Sequence, residues 1–253
     1  MLGLGNTLGG GIVPAATVSS FTNTYSLDFD GTNDHLVSGS SITFDTGTIA
    51  FWQKTQFTGS EEEGDGNFIP FHLSSAFYFY MSWNGSITRS YVVHPAPGSF
   101  YDNATDIADQ AWHFIALTIA GGGSGAENTS IIYVDGAAVA TSTRTATYST
   151  PSGTIKVGGN FSSSYFMDGN LDEIGIWDGV ALDADAIAQL YNSGAPIDLK
   201  TDSGNYDNSG DLTYYYRMGD GDTHPTITDN QGSLDLTMTN MASGDIVEVV
   251  PSA

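Results

Sequence analysis

Turn-forming residues recur about every eight to twelve positions along this chain, and the stretches between them alternate apolar with polar side chains. That spacing leaves no room for long helices. Short strands with one apolar face must be laid against a second layer, which gives antiparallel sheets closed into a sandwich or barrel. "TYSLDFDG" sets Tyr25, Leu27 and Phe29 against Ser26, Asp28 and Asp30 before Gly31. "TIAFWQKT" sets Ile49 and Phe51 against Ala50 and Trp52. "AFYFYMSWNG" sets Phe77, Phe79, Met81 and Trp83 against Tyr78, Tyr80 and Ser82. "HLVSG" and "SITFD" read as two short strands, and "YVDGAAV" as a hairpin reversing at Asp135-Gly136. With "WHFIALTIA", "TIKVGG", "NLDEIGIW", "LTYYYRMG" and "LDLTMTN" the expectation is roughly a dozen strands.

The segment from 169 to 194, "GNLDEIGIWDGVALDADAIAQLYNSG", departs from this pattern. It places Asp172 and Glu173 inside an apolar run and then supplies the one helical signal, over 183–194. Asp183 suits the N-cap, Asp185 the first turn, and Ile187, Leu190 and Tyr191 form one stripe ending before Gly194. A helix of about two turns persists only by laying that stripe on the sandwich.

Composition excludes several classes of function. Six Lys and Arg stand against 29 Asp and Glu, a formal charge of −23, which repels phosphate and argues against nucleic-acid binding. No Cys is present, so a disulfide scaffold, an iron–sulfur cluster or a thiol nucleophile is ruled out. No apolar run reaches the ~20 residues of a membrane span. Residues 1–22, rich in Gly and without a basic leader, read as an assembly arm and not a targeting signal.

Catalytic patterns fail on inspection. Glycosidase chemistry needs two carboxylates on one strand face, and the only near match, Glu63 and Asp65, has Phe68 where the second Glu should stand. Adjacent residues such as Asp172 and Glu173 face opposite ways in a regular strand. His35, His72, His94, His113 and His224 lack motif context, and no G-x-S-x-G occurs. "NYDNSG" begins like a calcium loop at Asn205, Asp207 and Ser209 but carries Tyr216 where the final Glu belongs. No catalytic residues, and therefore no enzyme, are expected.

"YSLDFDGTNDHLV", "TIAFWQK", "WHFIALTI", "IIYVDGAAV", "IKVGG" and "FMDGNLDEIGIWDGVALDADAIAQLYNSG" occur in an order that resembles the laminin-G-like branch of the concanavalin A-like jelly rolls. The resemblance implies an all-β, two-sheet jelly-roll sandwich with one short helix, over about 23–195. Residues 196–253 then form an extension adding edge strands to the same sandwich. It also implies a structural Ca²⁺ between the "DFDGTND" turn and the acid of "LDE", held by Asp30, the Gly31 carbonyl, Asp34 and Asp172. The alternative is that Asp30 and Asp34 cap their turn and Asp172 accepts backbone N–H groups. Tyr78 and Tyr80, with Tyr214 and Tyr216, are candidate sugar-stacking pairs, or else pack beneath a loop or a second subunit.

Two functional readings follow. In one, the chain resembles structural proteins of marine bacteriophage virions: a non-enzymatic capsid decoration or fibre protein, made in the host cytoplasm and carried on the extracellular particle. Its partners would be capsid or other virion subunits, copies of itself, and host-surface glycans. In the other, it is a carbohydrate-binding, lectin-like module of an extracellular or cell-surface protein.

Overall fold

The period-two alternation becomes sixteen strands among the residues described by the computed structural model: 21–56, 68–83, 88–93, 98–102, 104–107, 109–159 and 165–252. The Gly-rich arm lies outside them except for its last two residues, as do Glu63 and Asp65. In chain order the strands are β1 (Ser26–Asp30), β2 (His35–Thr43), β3 (Gly47–Thr55), β4 (Phe71–Ser74), β5 (Phe77–Trp83), β6 (Thr88–Val93), β7 (Phe100–Tyr101) and β8 (Trp112–Gly121). There follow β9 (Glu127–Val134), β10 (Ala137–Thr145), β11 (Ser152–Val157), β12 (Asp168–Asp178), β13 (Tyr214–Tyr216), β14 (Thr226–Ile227), β15 (Leu236–Thr239) and β16 (Ile246–Val247).

They form two antiparallel sheets. The first runs β10-β9-β8-β3-β12-β1-β16, with β13 also on β12; the second runs β14-β15-β2-β11-β4-β5-β6-β7. This is a sandwich, as the strand pattern requires, and of the jelly-roll kind that the family resemblance implies. The inner faces meet in one apolar core that includes Leu27, Phe29, Phe51, Phe79, Ile115, Leu171 and Ile176. "HLVSG" and "SITFD" turn out to be a single strand, β2, with a register shift against β11 absorbing the irregularity between them. Asp135 and Gly136, at φ 51° and 77°, make the tight reversal between β9 and β10.

The first sheet is covered on its outer side too. Ala50, Trp52, Phe114, Trp177 and Tyr215 pack there against Leu182, Ile187, Leu190, Leu199 and Tyr206. The helix α1 (Ala184–Tyr191) supplies part of this cover, and Asp183 caps it by accepting from the Ala186 N–H at 2.8 Å. It ends three residues earlier than expected, because Asn192 adopts the left-handed conformation (φ 44°) ahead of Gly194. Burial of Ile187 and Leu190 contributes about 1.5–3 kcal/mol each, without which so short a helix would melt.

Strand β12 runs through the middle of this double cover, its residues buried from Gly169 to Trp177. One edge pairs with β3 along its length. The other is shared end to end: β1 pairs with Asp168–Leu171, and β13 from the C-terminal extension pairs with Ile174–Ile176. At the join the register against β3 shifts between Asp172 and Gly175, and Glu173 takes φ 48°. This is a β-bulge, the local answer to a strand that changes partners.

Candidate functional site

Along β5 the alternation is strict. Phe77, Phe79 and Met81 are 0% exposed and face the core, while Tyr78 and Tyr80 are half-buried on the outer side of the second sheet. His72 of β4 lies opposite Tyr78 and stacks on it, ring centroids 5.7 Å apart and planes 18° apart. Lys156 of β11 lies opposite His72 on the other side, so Lys156, His72 and Tyr78 form one row across three strands. Tyr80, about 6.8 Å along the strand from Tyr78, meets Tyr165 edge to face at 5.4 Å and 87°. Tyr165 is 43% exposed and Tyr101 of β7 44%, so aromatic surface reaches solvent on this side. Burial, and then the Lys156 charge, push the His72 imidazole down to about 4, which keeps it a neutral ring at physiological pH.

The second tyrosine pair is not a platform. Tyr216 is 0% exposed and its hydroxyl donates to the Leu234 carbonyl at 2.8 Å, while Tyr214 packs against the inter-sheet core. Both point inward because β13 sits inside a sheet covered on both faces. Tyr215, between them, points to the other buried layer.

Of the residues assigned to calcium, Asp30, Gly31 and Asp34 share one turn and Asp172 lies apart from them. Asp30 caps its own turn, accepting from Thr32 and Asn33 N–H at 2.8 and 3.2 Å, and Asp34 accepts from the Asp30 N–H at 3.2 Å. Gly31, at φ 71°, donates its N–H to the Met167 carbonyl. Burial and the neighbouring Asp30 push the Asp34 carboxyl up to about 6. Asp168, not Asp172, is the β12 acid opposite Asp30. Asp172 lies four residues further along the strand, about 13 Å away. Among the described residues no group of three His, Asp or Glu side chains is arranged to hold a metal ion.

Asp172 belongs instead to a buried polar centre at the bulge. It accepts from Asn23 Nδ2 at 2.7 Å and from the Glu173 N–H at 2.9 Å. Glu173 accepts the Tyr215 hydroxyl and, at 3.2 Å, Arg217 Nε. The two acids are 0% and 3% exposed, and the bulge makes them electrostatic neighbours, correcting the expectation from regular strand alternation. Burial first, and then their mutual repulsion in the case of Asp172, drives both pKa values up, Glu173 to about 8 even against the opposing pull of Arg217. Asn23, Tyr215, Arg217 and Asp220 escaped sequence reasoning. The available signal was Arg217 itself, one of only six cations, placed directly after a strand-like "YYY".

Comparison with known proteins bears on the sandwich. Residues 29–188 match the family model described as the concanavalin A-like lectin/glucanases superfamily. No curated protein matches the sequence. Among solved structures, a putative carbohydrate binding protein from Bacteroides ovatus ATCC 8483 superposes with a TM-score of 0.66 at 16% identity, over 92% of this chain and 62% of that one. The chain thus spans less than two thirds of that relative's length. The heptameric SAP-like pentraxin from Limulus polyphemus superposes with a TM-score of 0.52 at 15% identity, over 67% of this chain and 82% of that one. At such identities the likeness is one of fold.

Proposed function

The chain belongs to the concanavalin A-like lectin/glucanase superfamily, and from that premise we propose that it is a carbohydrate-binding module acting through the outer face of its second sheet. The observation that carries this reading is the aromatic row on β4 and β5. Tyr78 rests on a neutral His72, and Tyr80 is braced by Tyr165. Two rings so held offer apolar faces of sugar-ring size with polar rims, at little cost in side-chain ordering on binding. The similarity in fold to the Bacteroides ovatus protein is consistent with this chemistry. The action proposed is binding without turnover: among the described residues the close pair of buried acids, Asp172 and Glu173, is occupied by Asn23, Tyr215 and Arg217.

The test is a glycan array probed with the intact protein and with a Tyr78→Ala, Tyr80→Ala variant. Binding by the intact protein that the variant loses supports the assignment. Identical arrays from both would reject it.

For the biological setting we propose the surface of a virion, where the domain would be anchored to capsid or other subunits and present this face to host glycans. What supports it is compositional: a cysteine-free chain of charge −23, suited to an extracellular particle assembled in a reducing cytoplasm. Immunogold labelling of purified particles with antibody against this chain is the direct check; label confined to cell fractions would count against it.

A further inference from the structure

A cavity of about 360 Å³ opens beside β13. Its walls are Phe21 and Thr22, Asp198 and Lys200, and Arg217 and Asn230, with the buried Tyr215 among them. None of these lies within residues 29–188, so the cavity is built by this chain's additions to the shared domain.

Its charge is out of keeping with the rest of the molecule. Lys200 and Arg217 are two of six cationic side chains in a protein with 29 acids, and they meet at one small cavity. Arg217 is fixed from several sides. Its Nε donates to Glu173, and Nη2 donates to the Thr22 carbonyl at 2.7 Å and to Asp220 at 3.4 Å. Its guanidinium lies 4.6 Å from the centre of the Phe21 ring. Nη1 has no partner among the described residues. Lys200 Nζ donates to the Asn230 carbonyl at 2.7 Å, and the Asn230 N–H donates in turn to the Tyr215 carbonyl at 2.7 Å. Asp198 is braced by the Lys200 N–H and the Thr201 hydroxyl. The walls are therefore set before any ligand arrives, which lowers the ordering cost of binding.

We propose that this cavity binds a small hydroxylated carboxylate, the chemistry of a single acidic sugar unit. Lys200 and the unused edge of Arg217 receive the carboxylate, which the protein's overall field would otherwise repel. Asp198 selects the rest of the ligand. As a hydrogen-bond acceptor it disfavours a bare inorganic anion and is satisfied by a ligand hydroxyl. Phe21 offers an apolar ring beside the guanidinium. The volume is at the lower end of the ~300–1,000 Å³ usual for ligand sites, which suits one ring and not a chain of them.

Titration calorimetry of the full chain with sodium glucuronate and sodium galacturonate tests this, with glucose and sodium sulfate as controls. Expected is binding of at least one sugar acid, with glucose and sulfate at least tenfold weaker. Lys200→Gln, at an exposed position, should weaken the sugar acid at least tenfold with an unchanged melting temperature. The Tyr78→Ala, Tyr80→Ala variant should bind it as the intact protein does, which separates this site from the aromatic face. The proposal fails if neither acid binds, if glucose or sulfate binds equally well, if Lys200→Gln is without effect, or if the tyrosine variant is the one that loses the acid.

Discussion

Glu173 accepts a hydrogen bond from Tyr215 across β12 and β13, a strand pair that ties the first sheet to the C-terminal extension. The bond is made at a bulge that also buries Asp172, so two buried acids share one site with Arg217. Both carboxyls are raised above their ordinary values, burial being the first cause.

The sign of the resulting pH dependence follows directly. An unfolded chain releases these protons near pH 4, whereas the folded one retains a proton on Glu173 up to about 8. Stability from this site is therefore full below about pH 4 and is lost as the pH rises through 8. Asp172→Asn keeps an acceptor for the Glu173 N–H, offers an amide N–H to a flipped Asn23 Oδ1 and removes the repulsion. It should flatten the decline in melting temperature between pH 5 and 8.5 and stabilise the protein at pH 8 by about 1–3 kcal/mol. Parallel slopes for the two proteins would contradict the account.

Asp229 is the hub of the turn that carries Asn230. Its buried carboxylate accepts from the backbone N–H groups of Tyr215, Gln231, Gly232 and Leu234. Asp229→Ala strands four donors and should cost about 3–5 kcal/mol in urea denaturation. Asp229→Asn, which retains an acceptor oxygen, should cost clearly less.

His113 is clamped between Asp135, at 2.8 Å from Nδ1, and Asp109, at 3.0 Å from Nε2. Burial alone would lower its pKa, but the two acids outweigh burial and raise it. The stabilisation is complete below the ordinary histidine value of 6.5 and disappears as the pH rises through the raised one. Asp135→Asn should return the His113 midpoint to or below 6.5 in an NMR titration. The stability change should be modest, because Asp109 is 54% exposed and solvent screens its share.

His72 titrates in the opposite sense. Its midpoint near 4 lies below the unfolded value of 6.5, so stability is full above 6.5 and falls as the pH drops toward 4. Glycan binding on the β5 face should accordingly be level from pH 5 to 8. Lys156→Gln, which removes one of the two causes, should raise the His72 midpoint; an unmoved resonance would contradict the row described.

Much of the sandwich is legible in the residues. Tyr78 and Tyr80 alternate with core side chains as read, the Asp135-Gly136 reversal is where it should be, and Asp183 caps its helix. What escapes is whatever depends on two-sided burial. Tyr214 and Tyr216 have the same spacing as Tyr78 and Tyr80, but both faces of β13 are covered, the Tyr215 side by the layer of Leu199 and Tyr206 and the Tyr214 and Tyr216 side by the inter-sheet core, whereas Tyr78 and Tyr80 lie on an outer face. The bulge was hidden for a related reason. A strand that swaps one partner for another midway leaves no mark in its own alternation; the family resemblance separately implied Asp172 beside the Asp30 turn, where the register sets Asp168.

The pairing of β1 with β16, and of β2 with β15, joins the first described strands to the last described ones. Synthesis must therefore pass β15 before the second sheet can be completed and β16 before the first can. The local hairpins from β8 to β10 can form during synthesis, but until β13 arrives β12 presents a bare, apolar half-edge to every other nascent copy. For this molecule the hazardous interval is the one between synthesis of β12 and synthesis of β13, and yield on expression should depend strongly on the stretch that closes it.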